Sequence, residues 1–211
     1  QPPWQVKSAM RQRPELFKNA NVIGAGLAGS AVAHSLATRG WKVQVLDQGE
    51  TLGVGASGLP AGILATHVSP DNNVLSRITR DGVRATIQRA QALLDHGLDW
   101  SLSSLLEHRY AGKRELPKGD RWPEAGHEWS TPATTPQKLA AGLTEQTAAL
   151  WHNLAGWLQP QSLVKAQLKH HNIELRTQQK VAQLHAHNQQ WQCSDAQGKL
   201  IAQAPLLVLA N

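Results

Sequence analysis

Six residues near the start of the chain, Gly24-Ala25-Gly26-Leu27-Ala28-Gly29, have the spacing of a phosphate-binding turn. The first glycine permits a tight reversal from strand to helix. The second, lacking a Cβ, lets a pyrophosphate reach the backbone N–H groups at the positive end of a helix. The third lets that helix press against the strand. The spacing alone is common, and context gives it weight. Ala20-Asn21-Val22-Ile23 before it reads as a buried strand, Leu27 to Arg39 as a helix of small residues, and Asp47 closes the next strand eighteen residues after Gly29. A carboxylate at that place accepts both hydroxyls of an adenosine ribose and repels a ribose phosphate. The pattern predicts a dinucleotide site without separating FAD from NAD. The alternative is glycines used only for packing, with Asp47 a solvated cap.

A second glycine-rich segment, Gly55-Ala56-Ser57-Gly58-Leu59-Pro60-Ala61-Gly62, follows a few residues after Asp47. A plain NAD domain proceeds there to another crossover helix, whereas small residues suit a longer cofactor whose second half crosses the domain; an ordinary surface loop is the competing reading. His67 behind it reads as structural, and His170-His171 as a cap at a helix C-terminus. His108, His127, His152, His185 and His187 show no ligand spacing with carboxylates, so no metal is expected. Cys193 alternates with Trp191 on one strand face and reads as buried. Arg77, Arg80 and Arg84 share a helix face, read as solvated, with binding of a polyanion's phosphates as the alternative.

The elements that must position these residues follow from periodicity. Gln1 to Asn19 is a polar, basic arm or linker. A βαβ unit ends at Asp47 and predicts a parallel sheet. A long amphipathic helix runs from about Asn72 to His96, with Gly40 closing the helix before Trp41 to Leu46. Strand signals occupy Trp100 to Tyr110 and Ala148 to Trp157, and Pro136 to Leu143 is a short helix. The stretch from Ala111 to Thr135 is punctuated by proline and glycine and reads as loop. Pro160 to His171 is an amphipathic helix begun by proline. Strands follow at Ile173 to Arg176, Val181 to His187, Gln190 to Ser194 and Lys199 to Ala202, then the apolar run Leu206 to Leu209. The order predicts an α/β nucleotide-binding fold with an inserted α+β region: arm 1–19, cofactor domain 20–98 with 159–211, and substrate-domain portion 99–158.

Composition narrows the class. With 41% hydrophobic residues the chain is neither disordered nor fibrous, and its single cysteine excludes an internal disulfide. No apolar run approaches the ~18 residues of a membrane span, and no signal-peptide pattern is present, so a reducing, cytoplasmic setting is the expectation. Lys and Arg outnumber Asp and Glu by 21 to 15, a net +6 that favours polyanionic partners. Of ten aromatic residues eight are tryptophan, read chiefly as core with base stacking as the alternative. The ending on an apolar strand reads as a piece of a longer protein.

Taken together, Gly24 to Gly29, Asp47, the Gly-Ala-Ser-Gly stretch and the terminal Leu-Leu-Val-Leu-Ala run resemble the glycine/D-amino-acid oxidase class of FAD-dependent oxidoreductases. Within it, the chain resembles the C-terminal oxidoreductase half of the bifunctional enzymes that modify the wobble uridine of tRNA. Four stretches carry this: Ala56 to Gly62 with Ser69; Ala155-Gly156-Trp157-Leu158-Gln159-Pro160; Gln190-Trp191 with Asp195-Ala196-Gln197-Gly198; and Leu209-Ala210-Asn211. Pro3-Trp4 with the basic run to Lys18 resembles the linker from an upstream methyltransferase domain. The chain departs from the class at Ala65-Thr66, where Tyr or His followed by Pro is usual, and Ala111 to Thr135 does not align.

The resemblance implies FAD as cofactor. It implies that Gly24, Ala25, Gly26, Leu27, Ala28, Gly29 and Asp47 hold its ADP part, and that Ser57, Gly58 and Gly62 lie near the pyrophosphate and ring system. It also implies that the Val181 backbone meets the adenine and that Ala210 ends a strand beside the cofactor. The implied activity removes the carboxymethyl group of carboxymethylaminomethyl-(thio)uridine in tRNA, releasing glyoxylate. The alternatives are a free amine or amino-acid oxidase and an inactive tRNA-binding fragment. The substrate-binding arginine is not identifiable within the chain.

Overall fold

The structure is a computed structural model that describes residues 18–53, 55–110, 116 and 124–210. The arm 1–17 lies outside the described residues, as do parts of the loop after Tyr110. The chain forms two compact units: the described residues up to 53 with those from 167, and 55–166. The boundaries expected near 98 and 158 both fall inside the second unit. Sheet pairing accounts for this, because strands at 62–64 and 100–101 both bond to one at 156–158.

The first unit is a four-stranded parallel sheet. Its strands are β1 (Asn19–Ile23), β2 (Lys42–Leu46), β9 (Ile173–Arg176) and β13 (Leu206–Leu209), ordered β13-β1-β2-β9. Helix α1 (Leu27–Ala37) crosses over from β1 to β2 and buries Gly29, Ser30, Ala33 and Ala37. These small side chains let the helix axis lie close to the sheet. The crossover ends in a turn through Thr38 and Gly40, not at Gly40 itself. On the register, Val22 and Val45 sit side by side and are fully buried. A three-stranded antiparallel meander, β10 (Gln183–His187), β11 (Gln190–Ser194) and β12 (Leu200–Ala204), completes the unit. Its Cys193 and Ala202 form a core with Leu46, joined by Ile23, Val181, Leu184 and Leu207.

The second unit holds two antiparallel sheets. The first is β3 (Gly62–Leu64), β8 (Gly156–Leu158) and β4 (Trp100–Ser101), in the order β3-β8-β4. The second is β5 (Leu105–His108), β7 (Ala149–His152) and β6 (Ser130–Pro132), in the order β5-β7-β6. Neither β3 nor β6 is evident in the sequence, since three-residue strands carry too little alternation to register. Gly156 is required at its place: a Cβ there would fall on the Ser101 carbonyl of the neighbouring strand β4. Helix α2 (Val74–Leu93) is capped by Asn73, whose side chain accepts from the Ser76 N–H at 3.0 Å. It buries Val83 and Ala90 against Leu64, Trp100, Trp129, Leu158 and Leu163. The last of these lies on α5 (Pro160–Leu168). Short helices α3 (Glu124–His127) and α4 (Thr135–Ala140) flank β6. Trp100 and Trp129 are thus core residues, as expected of most tryptophans, while Trp191 is 41% exposed.

Candidate functional site

The glycine turn is built where β1 ends. Gly24 has φ of +103°, a backbone conformation that an L side chain resists, and its N–H donates to the Leu46 carbonyl of β2 at 2.8 Å. Gly29 is buried one helical turn further on. A Cβ there would collide with the Gly24 carbonyl oxygen, and it would lie 3.5 Å from the Ala210 side chain. The third glycine therefore sets how closely α1 approaches both β1 and the end of β13. Gly26 is the N-cap of α1, a residue with no side chain of its own to cap that end. Leu27 and Ala28 in the opening turn are exposed. The result is a positive helix terminus with small residues at its mouth, a fit for an anionic pyrophosphate.

Asp47 stands at the end of β2 and its carboxylate is fixed from two sides. Oδ2 accepts the Ala25 N–H at 2.6 Å, and Oδ1 accepts the Gly49 N–H at 2.7 Å. The backbone of Asp47 is clamped as well: its N–H donates to the Arg176 carbonyl at 3.0 Å, and its own carbonyl accepts from Gln179 at 2.8 Å. Each carboxylate oxygen keeps further lone-pair capacity, so the group is oriented while still able to accept ribose hydroxyls. Ala210, just past β13, donates its N–H to the Ile23 carbonyl at 2.9 Å. One end of the parallel sheet thus gathers Gly24 to Gly29, Asp47 and Ala210.

Val181 departs from expectation in its local structure. The strand begins at Gln183, and Val181 precedes it in an extended loop. The reason is the turn at Gln178, where φ is +56°, followed by the Gln179 bond to Asp47; the ladder to β11 is reached only with the Ala182 N–H on Ser194. Val181 still packs beside Leu46 in the core. Ser57, Gly58 and Gly62 belong to the second unit. Ser57 and Gly58 close a single 3-10 turn, Gly55–Gly58, and Gly62 opens β3 opposite Leu158.

Two side-chain networks escape sequence reasoning because their partners are distant in the chain or lie in a short loop. In the first unit the Ser30 hydroxyl donates to Gln167 Oε1 at 2.8 Å, tying α1 to the end of α5. In the second, the segment between β3 and α2 hangs on the helix. Ser69 and Ser76 hydroxyls are 2.8 Å apart, His67 Nδ1 is 3.0 Å from Ser76, and the His67 N–H donates to Thr79 at 3.1 Å. His67 is thereby held as part of the fold, in keeping with its structural reading.

The arginine row does not act as one face. Arg80 turns back onto its own unit, donating to Asn72 Oδ1 at 2.6 Å, and burial lowers its pKa from the usual value. Arg77 is exposed, and the Arg84 guanidinium lies 4.9 Å from the Trp129 ring centre. Among the described residues no group of three or more His, Cys, Asp or Glu is placed to hold a metal ion, and no helix is long and apolar enough to cross a membrane.

Comparison with known proteins decides the family. The model of the family described as DAO, FAD dependent oxidoreductase, matches residues 20–211. The chain belongs to this FAD-dependent oxidoreductase family. It is 48% identical over 216 residues to the tRNA 5-methylaminomethyl-2-thiouridine biosynthesis bifunctional protein MnmC of Polaromonas naphthalenivorans, an alignment that takes in 100% of this chain and 34% of the relative. The chain spans about a third of the length of such curated relatives. Among solved structures, glycine oxidase from Geobacillus kaustophilus superposes with a TM-score of 0.65 at 19% identity, over 92% of this chain and 55% of that one. The FAD-bound L-alpha-glycerophosphate oxidase from Mycoplasma pneumoniae gives 0.68 at 12% identity, over 90% and 52%. These two likenesses are of fold. The glycine at the helix N-terminus, the close approach at Gly29 and the fixed Asp47 carboxylate all fit the cofactor that defines this family.

Proposed function

We propose that this chain is the oxidoreductase portion of a tRNA wobble-uridine modifying enzyme. In this reading Gly24 to Gly29 and Asp47 hold the ADP part of FAD, with Ala210 and the Val181 backbone beside it and Ser57, Gly58 and Gly62 nearer the pyrophosphate and ring. The observation that carries the reading is the match along the whole chain to bifunctional proteins of 5-methylaminomethyl-2-thiouridine biosynthesis. The net +6 charge supports a large polyanionic substrate.

The substrate group is an N-substituted glycine, base–CH2–NH–CH2–COO⁻. Bound FAD supplies a two-electron acceptor for oxidation of the glycine C–N bond. Loss of one hydride and one proton from that unit leaves an imine, and water splits it into base–CH2–NH2 and glyoxylate. The protein's part is to anchor the cofactor and orient the glycine unit. An upstream methyltransferase domain, whose product chemistry follows this amine, is part of the same proposal.

The test offers carboxymethylaminomethyl-tRNA and sarcosine to the chain in its full-length form, and measures glyoxylate together with the nucleoside profile of the digested tRNA. Glyoxylate formed in step with aminomethyl-uridine is the expected result. Fast sarcosine turnover with an unchanged nucleoside profile would instead establish a free amine oxidase. RNA binding with neither turnover would leave a tRNA-binding module.

A further inference from the structure

Helix α2 carries apolar residues on two separate faces. Successive residues of an α-helix are turned by about 100°. Ser76, Val83 and Ala90 therefore share one side, which is buried, and Val83 and Ala90 belong to the core around Trp100 and Leu158. Val74, Leu75 and Ile78 lie well round from that side and are 58%, 54% and 61% exposed. Gly82 and Ala85 continue their line, and both are exposed. A Cβ on Gly82 would meet nothing within 4 Å, so the line is open along its middle. Arg77, Asp81 and Arg84 lie on a third side, where Arg84 and Asp81 approach to 3.8 Å.

The charges thus have a face of their own, and the face centred on Ile78 carries none before Arg89. Ile78 is four residues from Val74 and three from Leu75, so these side chains make one contiguous patch. Other exposed large apolar side chains of the described residues, such as Leu98, Leu139 and Leu200, occur singly along the chain. Single ones need no explanation, whereas a contiguous patch marks a surface that something covers. The extent of the fold says what that is. The superpositions on glycine oxidase and on the glycerophosphate oxidase take up 92% and 90% of this chain, yet only 55% and 52% of those structures. The remainder of such a fold must bury an apolar side of its own. The small residues Gly82 and Ala85 let a segment of it lie close along α2.

We propose that Val74, Leu75, Ile78, Gly82 and Ala85 form the seat for the part of the oxidoreductase fold that these 211 residues do not include. The outer face of α2 is then an internal surface of the complete domain. The inference rests on membership of the family and is independent of the tRNA reading.

The test measures thermal midpoints in a chain lengthened to a complete oxidoreductase domain, with and without the proposed upstream domain, and with and without FAD. Val74→Ser and Ile78→Ser are compared with Gln88→Ser, on the charged side of the same helix. Serine has a helix propensity close to that of valine and isoleucine, so the first two substitutions change burial and little else. They are expected to lower the midpoint by roughly 3 to 10 °C whether or not FAD or the upstream domain is present, and Gln88→Ser by about 1 °C. Equal midpoints in the parent, Val74→Ser and Ile78→Ser would overturn the proposal, because the face would be bare in the complete domain. A shift seen only with FAD would assign the face to the cofactor. One that needs the upstream domain would assign it to that domain, and one that depends on protein concentration to a second copy of the chain. Each of these also overturns the proposal, and none bears on the tRNA assay.

Discussion

Gly29 and Asp47 carry the most specific consequences of any single side chains. Gly29→Ala places a methyl group on the Gly24 carbonyl, so α1 must move away from β1; overpacking of this kind costs about 1–3 kcal/mol. The expected outcome is a thermal midpoint lowered by several degrees and loss of bound flavin, read by calorimetry and flavin fluorescence. Asp47→Asn turns one acceptor into a donor facing the Ala25 or Gly49 N–H. FAD affinity should fall roughly 10- to 100-fold, the value of a charged hydrogen bond, while the far-ultraviolet circular dichroism holds. Retained affinity in Asp47→Asn would remove this carboxylate from the site. Cys193 makes a different prediction. Burial raises its thiol pKa above the ordinary 9.0, with the Asn21 side chain opposing in part. The folded state therefore favours the neutral thiol. The stability from that preference is full below the unfolded value and is lost as pH rises through the raised folded value. Cys193→Ala should flatten the loss of stability above about pH 9, and disulfide-exchange reagents should label Cys193 only after denaturation.

At the scale of elements, the strands of the second unit depend on a polar chain across them. Glu107 on β5, His152 on β7 and Ser130 on β6 are bonded in sequence. A carboxylate only accepts, so His152 Nε2–H donates to Glu107, while Nδ1 shares a hydrogen bond with the Ser130 hydroxyl. His152→Phe breaks both bonds and should cost about 2–4 kcal/mol in urea denaturation, against about 1 kcal/mol for Ser130→Ala. Helix α2 separates its arginines by what each touches. Replacing Arg77 and Arg84 by Gln should reduce the salt dependence of RNA binding, by a log–log slope of roughly 0.7 for each phosphate that is no longer neutralised. Arg80→Gln should leave that slope alone and lower stability, since one of its guanidinium nitrogens donates to Asn72. An unchanged slope in the double variant would make Arg77 and Arg84 ordinary solvated charges.

For the molecule as a whole, the fold of this chain matches about half of each of two solved structures. The solved relatives match it over 92% and 90% of its length but only 55% and 52% of theirs. Flavin binding and turnover are therefore separable expectations. A chain extended to the length of the curated relatives should bind FAD more tightly than the 211 residues alone, as equilibrium dialysis of the two would show.

The sequence alone determined the glycine turn, its helix and Asp47, because a βαβ unit writes its interactions locally: each glycine has one job, and the carboxylate lies one crossover away. It also pointed to the burial of Cys193, although Trp191, two residues earlier on the same strand face, is 41% exposed. Tertiary structure decided what depends on pairing between remote segments. The strands β3 and β6 exist because longer neighbours offer them hydrogen bonds. Val181 lies before its strand because Gln179 is drawn to Asp47. Arg80 leaves its helix row because Asn72, eight residues earlier, folds back within reach. The bond between Glu107 and His152 follows from a register that pairs Glu107 with Leu150, a residue more than forty positions away. Local patterns record which residues prefer burial, but the partner that satisfies each buried polar group is fixed only when the chain closes on itself.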